Sequence, residues 1–421
     1  MNNDNYSLDG KSILLIHIIE KYAYSLRHMK KLGLRIVVLH SQKEHWAEEY
    51  VDDWIIPSTD MSSAEILELI RKYLQKDTSI AGAITFWEEE VPLAAEICNE
   101  FHWIGNSIEA ALNTRSKFQM HEVLREGHRP SIPQRLIIQE SDFHTAMEEI
   151  GFPSIMKPIF GSDSLFVVYI TNAQEAKNAY EYIRTHCEFP DEMFYKYDKN
   201  ALVYQKFIEG PEFSIECYCQ DGTPHVVAIH EKAGMQLPFF VESGGYCPPR
   251  ISPFEQEQLS NEAKASLCVL GVTNSLAHVE MKLTANGPQI IEVGSRLGSG
   301  DIFKNVCEVY AFDLIKAACE IALGIPVTQT PSSKPKKFIR TTVFIPEKSG
   351  IVTSMTGFDS LKNNPNVNEL SLYKKVGDVV KVPPDGFERI GWVSVKGNDA
   401  NDAEQNLQKV CSNISYEIAP M

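Results

Sequence analysis

The chain has 421 residues, 43% of them hydrophobic, so it can bury more than one core. Its 40 basic and 56 acidic residues give a formal net charge of −16, and such a surface repels nucleic acids and anionic membranes. No stretch reaches the roughly 18–20 apolar residues of a membrane span. Neither a nucleic acid nor a membrane is therefore expected as a general partner.

The nine cysteines are scattered along the chain, and CxxC metal-binding spacing is absent. Only Cys217 and Cys219 lie close together, in a predicted strand where residues two apart share a face without being bridged. The polar N-terminus, MNNDNYSLDGKS, shows no signal-peptide core. We therefore expect a reducing, cytoplasmic compartment in which the thiols are structural.

The N-terminal part alternates between predicted strands and helices. The predicted strands are 12–16, 34–39 and 80–86, and the predicted helices are 20–32 and 61–75, the latter opened by a capping-box pattern at Ser62 and Glu65. This alternation predicts a parallel sheet with helices on its faces. The first turn, HIIEKYA, lacks G-x-G-x-x-G, so a dinucleotide cofactor is only weakly indicated.

The rest of the chain divides into a connector, a compact mixed segment and a strand-rich segment. Residues 113–130 predict a helical connector that ends at Gly127 and Pro130. Beyond it the predicted strands are 134–139, 154–158 and 165–170, with a Gly/Ser loop before the last and a helix at 173–185. Strands dominate from residue 205 onward, interrupted by a helix at 253–270, and the chain ends in mixed α/β structure with a helix near 402–412.

Two carboxylates, Glu280 and Glu292, lie in a stretch that otherwise predicts a β-hairpin. A two-residue turn at Asn286-Gly287 would require a backbone N–H from Pro288, which has none. A five-residue loop at 284–288 avoids this requirement. In that register Glu280 lies directly opposite Glu292.

Like charges directly opposed across a sheet are destabilising. A hard cation compensates them, and Mg²⁺ is commonly held by one or two carboxylates together with phosphate oxygens. Alternatively the carboxylates face solvent or pair with Lys282 or Arg296. The glycines around Arg296, at 294, 298 and 300, favour the metal–phosphate interpretation because they permit close backbone approach beside a guanidinium fork.

Metal–phosphate chemistry at the hairpin would need cations from elsewhere in the chain. Lys157 ends a predicted strand directly before the Gly/Ser loop 159–164, whose N–H groups and hydroxyls can fold over phosphates. Lys117 lies in the connector, and Glu212 follows a turn at 209–211 where a carboxylate can accept ribose hydroxyls. The alternatives are an ordinary hairpin loop, a solvated lysine and a surface glutamate.

The order of these motifs resembles the ATP-grasp superfamily of carboxylate–amine ligases. The resemblance runs from near residue 10 to the C-terminus and is carried by Lys117, Lys157-Pro158, QKFIEGPEFSIE, Glu280 and Glu292-x-x-x-Arg296. It implies an α/β (α+β) ATP-grasp fold with an N-terminal Rossmann-like pre-ATP-grasp domain. The predicted parts are the pre-ATP-grasp domain 1–112, a connector 113–133, a small lid subdomain 134–204 and a large subdomain 205–421, whose C-terminal α/β portion is 330–421.

The resemblance also implies roles for individual residues. Lys117 and Lys157 would contact the phosphates of ATP, and Arg296 would steady an acyl phosphate and the tetrahedral intermediate, which makes these three the implied catalytic residues. Glu280 and Glu292 would bind Mg²⁺, with Mn²⁺ as a possible substitute. The implied contacts to the nucleotide, from the mobile phosphate-covering loop to the adenine hinge and the ribose, also include Gly161, Ser162, Ser164, Gln205, Lys206, Ile208 and Glu212.

Two departures from the common pattern bear on the branch of the superfamily. Gly294 stands where many members have a metal-binding Asn, which leaves the metal coordination open, and the motif after Arg296 is Leu-Gly-Ser-Gly. Both departures, and the stretch 230–249, are closer to the L-amino-acid ligase (dipeptide synthetase) branch. The expected reaction joins an L-amino acid carboxylate to the amino group of a second amino acid through an acyl phosphate, releasing ADP and phosphate.

Two other functions stay open on the sequence alone. One is a carboxylase of the biotin or purine-pathway type, which activates bicarbonate, and the other is a non-catalytic ATP-binding regulatory protein. The base that deprotonates the amine is also open, with His230, Glu231 and Glu242 as candidates, whereas His278 is expected to be a structural strand residue. The expected partners are small amino-acid substrates and, by resemblance, a second copy of the chain in a homodimer.

Overall fold

A computed structural model of the chain describes residues 7–187 and 200–421. Residues 1–6, within the predicted N-terminal domain, and residues 188–199, within the predicted lid subdomain, lie outside the described part. The boundaries predicted at 113, 134, 205 and 330 stay predictions.

The N-terminal domain is built on a parallel sheet, as its alternating pattern predicts. Its elements are β1 (Ser12–Ile16), α1 (Ala23–Lys31), β2 (Arg35–Leu39), β3 (Asp53–Ile55), α2 (Ser63–Leu74), β4 (Ile80–Ile84) and α3 (Val91–Glu100). The strands pair in parallel in the order β3-β2-β1-β4. The capping box at Ser62 and Glu65 is present. The helix predicted from residue 20 opens instead with a 3₁₀ turn at Glu20–Tyr22.

The connector is two helices rather than one, α4 (Ile108–Arg115) and α5 (Lys117–Glu126). They are separated by Ser116, whose backbone is extended and whose hydroxyl caps α5 by accepting the N–H of Gln119. The cap places Lys117 at the first position of α5.

The lid subdomain is an antiparallel sheet with two helices. Its described elements are β5 (Gln134–Ile137), α6 (Glu140–Ile150), β6 (Ser154–Pro158), β7 (Val168–Ile170), α7 (Ala173–His186) and β8 (Leu202–Lys206), with the strands in the order β5-β8-β6-β7. β7 begins three residues later than predicted, because Asp163, Ser164 and Phe166 have positive φ values that interrupt an extended strand.

The large subdomain and the C-terminal portion share one sheet. The elements up to residue 322 are β9 (Glu212–Gln220), β10 (Thr223–Lys232), β11 (Met235–Gln236), β12 (Val241–Glu242), β13 (Gly244–Cys247), α8 (Pro253–Leu270), β14 (Ser275–Thr284), β15 (Gly287–Gly294), α9 (Ile302–Tyr310) and α10 (Leu314–Ala322). The remaining elements are β16 (Phe338–Phe344), β17 (Gly350–Thr356), α11 (Phe358–Leu361), β18 (Val367–Leu372), β19 (Val379–Val380), β20 (Gly391–Gly397), α12 (Ala400–Cys411) and β21 (Ser415–Ala419).

Among the described residues, eight strands form the shared sheet in the order β15-β14-β9-β10-β13-β16-β20-β18, and β19-β17-β21 form a smaller one. The C-terminal portion therefore extends the sheet that carries the two glutamates.

Strand alternation divides the shared sheet into an apolar face and a polar face. The side chains of Phe213, Ile215, Val279 and Met281 belong to a fully buried core that also contains Leu259 and Leu267 of α8, among other residues. Successive side chains point to opposite faces, so the residues between them form a polar face. On that face Glu280 pairs with Ser214, His278 with Glu216, and Lys282 with Glu212, and His230 lies beside Ser214 on β10.

The hairpin that carries the two glutamates differs from the prediction in its turn. Only residues 285–286 connect β14 to β15, so the predicted five-residue loop at 284–288 is wrong. The N–H of Leu283 donates to Pro211 O at 3.0 Å, away from β15. Leu283 and Pro288 therefore form a non-hydrogen-bonded pair, and Pro288 needs no N–H there.

Glu280 nevertheless lies directly opposite Glu292, as predicted. A β-bulge produces this pairing, because Met281 pairs with Ile290 and Ile291 is left as the extra residue of β15. The shorter turn and the bulge compensate each other, so the two carboxylates share the polar face.

Two further observations concern the whole chain. All nine cysteines are free thiols, including Cys217 and Cys219, which are not bridged. No helix within residues 7–187 and 200–421 is long and apolar enough to cross a lipid bilayer.

Candidate active site

A cleft of about 720 Å³ lies between the lid sheet and the shared sheet. Its walls contain apolar side chains, among them Ile155, Phe207 and Phe240, and several charged side chains. All the residues predicted for the nucleotide and the metal line it: Lys117, Lys157, Gly161, Ser162, Ser164, Gln205, Lys206, Ile208, Glu212, Glu280 and Glu292. The chain thus brings distant segments together around one cavity that has both apolar and ionic side chains in its walls.

Lys117 connects the connector, the loop and the hairpin. Its Nζ donates to Glu292 Oε1 and to Gly161 O, both at 2.7 Å, and its side chain is almost fully buried. The helix cap at Ser116 fixes this position, because it starts α5 where the side chain reaches Glu292. An ammonium held between a carboxylate and the Gly/Ser loop is placed to meet phosphate oxygens entering the cleft.

Lys157, on β6, is a second cation in the cleft and is only 2% exposed. Burial first, and then the nearby positive charge of Lys117, lower its pKa to about 8, although Glu292 and Glu280 oppose the shift. The neutral amine is thus favoured more than usual by the protein itself. A polyanionic ligand would favour the ammonium form.

Lys232 bridges the two carboxylates of the polar face. Its Nζ lies 2.7 Å from Glu212 Oε1 and 2.7 Å from Glu280 Oε1. Burial alone would lower its pKa, but Glu212 and then Glu280 outweigh burial and hold that pKa well above its usual value. Burial opposes ionisation of Glu280 as well, but Lys232 and His278 keep the pKa of its carboxyl well below normal.

Lys232→Met is expected to destabilise the protein by about 3–5 kcal/mol, because it leaves two carboxylates buried without their cation. Mg²⁺ with ATP should recover part of that stability by supplying another positive charge. Thermal melting with EDTA and with Mg²⁺ and ATP measures both effects, and Lys336→Met, at an exposed lysine, is the control. Equal melting temperatures for the two variants in EDTA would contradict the bridging role.

His278 extends the ionic chain. Its Nδ1 lies 2.6 Å from Glu216 Oε1 and its Nε2 3.4 Å from Glu280 Oε1. Burial opposes protonation, but Glu216 and then Glu280 raise the pKa of His278 to about 10. The expected structural histidine is thus a cation at the edge of the site that orients Glu280.

Arg296 lies at the far side of the carboxylate pair. Its Nε contacts Glu88 Oε2 at 2.5 Å and its Nη1 donates to Leu297 O at 2.8 Å. Burial opposes ionisation of Glu88, but Arg296 and then Arg115 lower the pKa of its carboxyl. Glu88 follows β4, so the N-terminal domain holds the guanidinium in place.

A second cavity, of about 1270 Å³, adjoins this cleft. Both cavities are lined by Glu280 and Glu292, and by Ser162 and Ser164 of the Gly/Ser loop. Arg296 lines the second cavity but not the cleft. The carboxylate pair therefore lies at the junction of the cleft and the second cavity, which we call the polar chamber.

The three candidates for the base differ in their surroundings. Glu231 lines the chamber but accepts three hydrogen bonds from the side chain and backbone of Arg250. His230 and Glu242 also line it, and neither ring nitrogen of His230 has a hydrogen-bond partner among the described residues. Burial lowers the pKa of His230 and raises that of Glu242, which favours the neutral form of both groups.

The Gly/Ser loop rests on the N-terminal domain. Lys21 Nζ donates to Asp163 Oδ2 at 3.0 Å, and Ser162 Oγ donates to Glu89 Oε1 at 3.4 Å. Burial opposes ionisation of Asp163, but Lys21 outweighs it and lowers the pKa of the carboxyl. We call these two contacts the loop latch.

Lys232 and Glu88 were not among the predicted site residues. A signal for Lys232 exists, because it follows His230 by two residues in a strand and therefore shares its face. Glu88 lies in the segment that resembles the pre-ATP-grasp domain. That resemblance predicted the fold of the segment but not the contact between Glu88 and Arg296.

Two family models match this chain, and the first covers the site. The ATP-grasp domain matches residues 150–304, which contain Lys157, the Gly/Ser loop and both glutamates of the hairpin. The chain contains an ATP-grasp domain. In this ATP-grasp protein, L-amino acid ligase C-terminal domain 2 matches residues 342–419, the portion that extends the shared sheet. Both the superfamily and the L-amino-acid ligase branch inferred from the motifs are confirmed.

The alignments to individual relatives have low sequence identity but extend over most of this chain. Carnosine synthase 1 of Homo sapiens is 23% identical over 337 residues, covering 76% of this chain and 40% of that protein. Alanine–anticapsin ligase of Bacillus subtilis (strain 168) is 24% identical over 319 residues, covering 72% and 65%. The chain spans about two fifths of the length of the carnosine synthase.

The crystal structure of L-amino acid ligase from Bacillus licheniformis is similar with a TM-score of 0.84 and 19% identity, covering 97% of this chain and 99% of that one. This likeness confirms the predicted ATP-grasp fold.

Proposed function

We propose that this protein is an ATP- and Mg²⁺-dependent ligase that joins the carboxylate of an L-amino acid to the amino group of a second amino acid. The observation that carries the proposal is the position of Glu280 and Glu292, which line both the nucleotide cleft and the polar chamber. A triphosphate in the cleft would end at that junction. A carboxylate in the chamber would then lie next to the γ-phosphate.

The residues present fit a divalent cation and a nucleotide. Within residues 7–187 and 200–421, no group of three or more His, Cys, Asp or Glu is arranged to hold a metal ion. Two carboxylates suit Mg²⁺ in particular, because it is usually bound by one or two carboxylates, substrate phosphates and water. Mn²⁺ is a reasonable substitute. Gln205 lines the cleft, and its Oε1 is buried without a partner among the described residues, which leaves an acceptor for a ligand.

In the first step a carboxylate oxygen of the first amino acid bonds to the γ-phosphorus, the bond to the β-phosphate oxygen breaks, and ADP leaves. Mg²⁺, when bound, neutralises charge on the phosphate oxygens. Lys117 and Lys157 supply two further positive charges at fixed positions. Ser162 and Ser164 cover the junction, so water is kept from the acyl phosphate.

In the second step the amine nitrogen bonds to the acyl carbon, and the bond from that carbon to the phosphate oxygen breaks. Arg296, held by Glu88, is placed at the chamber side to stabilise the oxyanion of the tetrahedral intermediate. The amine must lose a proton, and His230 and Glu242 both line the chamber. The neutral imidazole of His230 can accept that proton, whereas Glu242, whose pKa is raised by burial, can accept it only from its carboxylate form. Glu231 is less suited because Arg250 occupies its carboxylate.

The relatives support this choice within the superfamily. The matched C-terminal model is named for L-amino acid ligases, and a relative covering 72% of the chain is named alanine–anticapsin ligase. Amino acids are therefore the proposed substrates. Nine free cysteines support a cytoplasmic location, and a homodimer is proposed by resemblance to the superfamily.

A screen of every pair of proteinogenic amino acids with ATP and Mg²⁺ tests the proposal. We expect phosphate release and an equal amount of dipeptide for a subset of pairs, and loss of both in EDTA. ADP formation with bicarbonate and no amino acid would favour a carboxylase instead. Absence of ADP with all pairs and with bicarbonate would favour a non-catalytic ATP-binding protein.

A further inference from the structure

Most charged groups of the polar chamber are already paired within the protein. Lys21 is paired with Asp163, Lys232 with two glutamates, and Arg296 with Glu88. Arg389 differs from these cations, because it forms no hydrogen bond or ion pair with any residue in the described part of the chain, and its Nε is buried. It also lines both the chamber and the wider groove that opens from it.

The backbone around Arg389 is held firmly. Ile390 N donates to Phe344 O, and Ile390 O accepts from Tyr373 N, both at 2.9 Å. On the other side Glu388 N donates to Lys381 O at 2.9 Å. The guanidinium is therefore presented from an anchored segment rather than from a free loop.

The segment that carries Arg389 contacts the lid, and Arg389 also acts electrostatically on the Gly/Ser loop. Phe387 packs against Phe166 of the lid, with ring centroids 5.8 Å apart. Arg389 also contributes to lowering the pKa of Asp163, after burial and the larger effect of Lys21. The segment thus contacts the same lid that covers the carboxylate pair.

A buried guanidinium nitrogen without a partner is costly unless a ligand satisfies it. Its planar fork matches a carboxylate, which it can bind through two parallel hydrogen bonds. Of the two substrates in the proposed reaction, the first has its carboxylate at the γ-phosphate. The second amino acid contributes its amine to the reaction and keeps a free carboxylate, which needs a binding group away from the phosphates.

We propose that Arg389 binds the free α-carboxylate of the amine-donating amino acid, and so restricts this substrate to amino acids rather than simple amines or amides. The inference rests on the proposed ligase function. It makes Arg389 a specificity-determining residue at the entrance of the chamber.

The test compares two forms of one amine donor, the free amino acid and its carboxamide, by kcat/KM for peptide formation. The wild-type protein should prefer the free acid, and Arg389→Met should reduce this preference by about 10- to 100-fold, as expected for a lost charge-assisted pair. The loss should appear in the KM of the free-acid amine donor. Arg389→Lys, which keeps the charge but not the fork, should retain part of the preference.

Arg27→Met is the matched control, because Arg27 lines the same wider groove but is exposed. It should keep the wild-type preference for the free acid. Peptide formation by Arg389→Met with an unchanged preference, or a changed KM for the first amino acid instead, would overturn the assignment of Arg389 alone. Absence of any peptide product from the wild-type protein would overturn both this inference and the proposed function.

Discussion

Glu292→Gln is expected to lower kcat by at least about 10²- to 10³-fold, the range seen when one preorganised electrostatic group is removed. The amide keeps the size of the side chain and an acceptor for Lys117, whose Nζ lies 2.7 Å from the carboxylate. It cannot offer the negative charge that a divalent cation needs. Phosphate release at saturating ATP and Mg²⁺ measures the loss, and thermal melting should show an intact fold.

Glu149→Gln is the matched control, since Glu149 is a lid carboxylate whose partner Arg135 is half exposed. It should leave both the rate and the melting temperature nearly unchanged, because exposed ion pairs contribute only about 0–1 kcal/mol. Near-normal activity of Glu292→Gln would mean that the metal assignment is wrong.

Lys157→Met is expected to have opposite effects on activity and stability. Activity should fall by about 10²-fold or more, because one of the two phosphate-facing cations is lost. Stability should rise by at least about 1 kcal/mol at neutral pH, because a pKa of about 8 shows that folding disfavours this ammonium. Phosphate release and chemical denaturation measure the two effects.

The pH dependence follows from the same pKa. A lysine whose pKa is lowered on folding destabilises the protein fully below the folded-state value, and the penalty disappears as pH rises toward the unfolded-state value. The stability gain of Lys157→Met should therefore shrink between pH 8 and about 10.4. Lys177→Met, at an exposed lysine of α7, should show no such gain. A loss of stability in Lys157→Met at pH 7 would contradict the argument.

Much of the site could be predicted because strand alternation and the order of motifs are local properties of the sequence. The positions of Glu280 and Glu292 on one face follow from alternation within each strand and from their pairing. Lys117 and Lys157 were identified by their order relative to the loop and hairpin. Whether each binds its implied ligand stays a prediction.

Other features depend on contacts between distant segments. The proline argument gave the right pairing through the wrong turn, because it assumed that Pro288 faces a hydrogen-bonding position, and local sequence does not reveal the bulge at Ile291. The bridge from Lys232 to Glu212 and Glu280 requires three strands in register. The lone guanidinium of Arg389 becomes visible only when the C-terminal portion is packed beside the lid.

In the proposed reaction, the loop latch would let the N-terminal domain help to couple ATP consumption to peptide bond formation. Lys21 and Asp163 are 36% and 45% exposed, and such a pair contributes only about 0–1 kcal/mol, so it can break and re-form in every cycle. An ATP-grasp core separated from this domain would lose the surface on which the loop rests. Solvent would then reach the mixed anhydride, and nucleotide would be consumed without stoichiometric peptide bond formation.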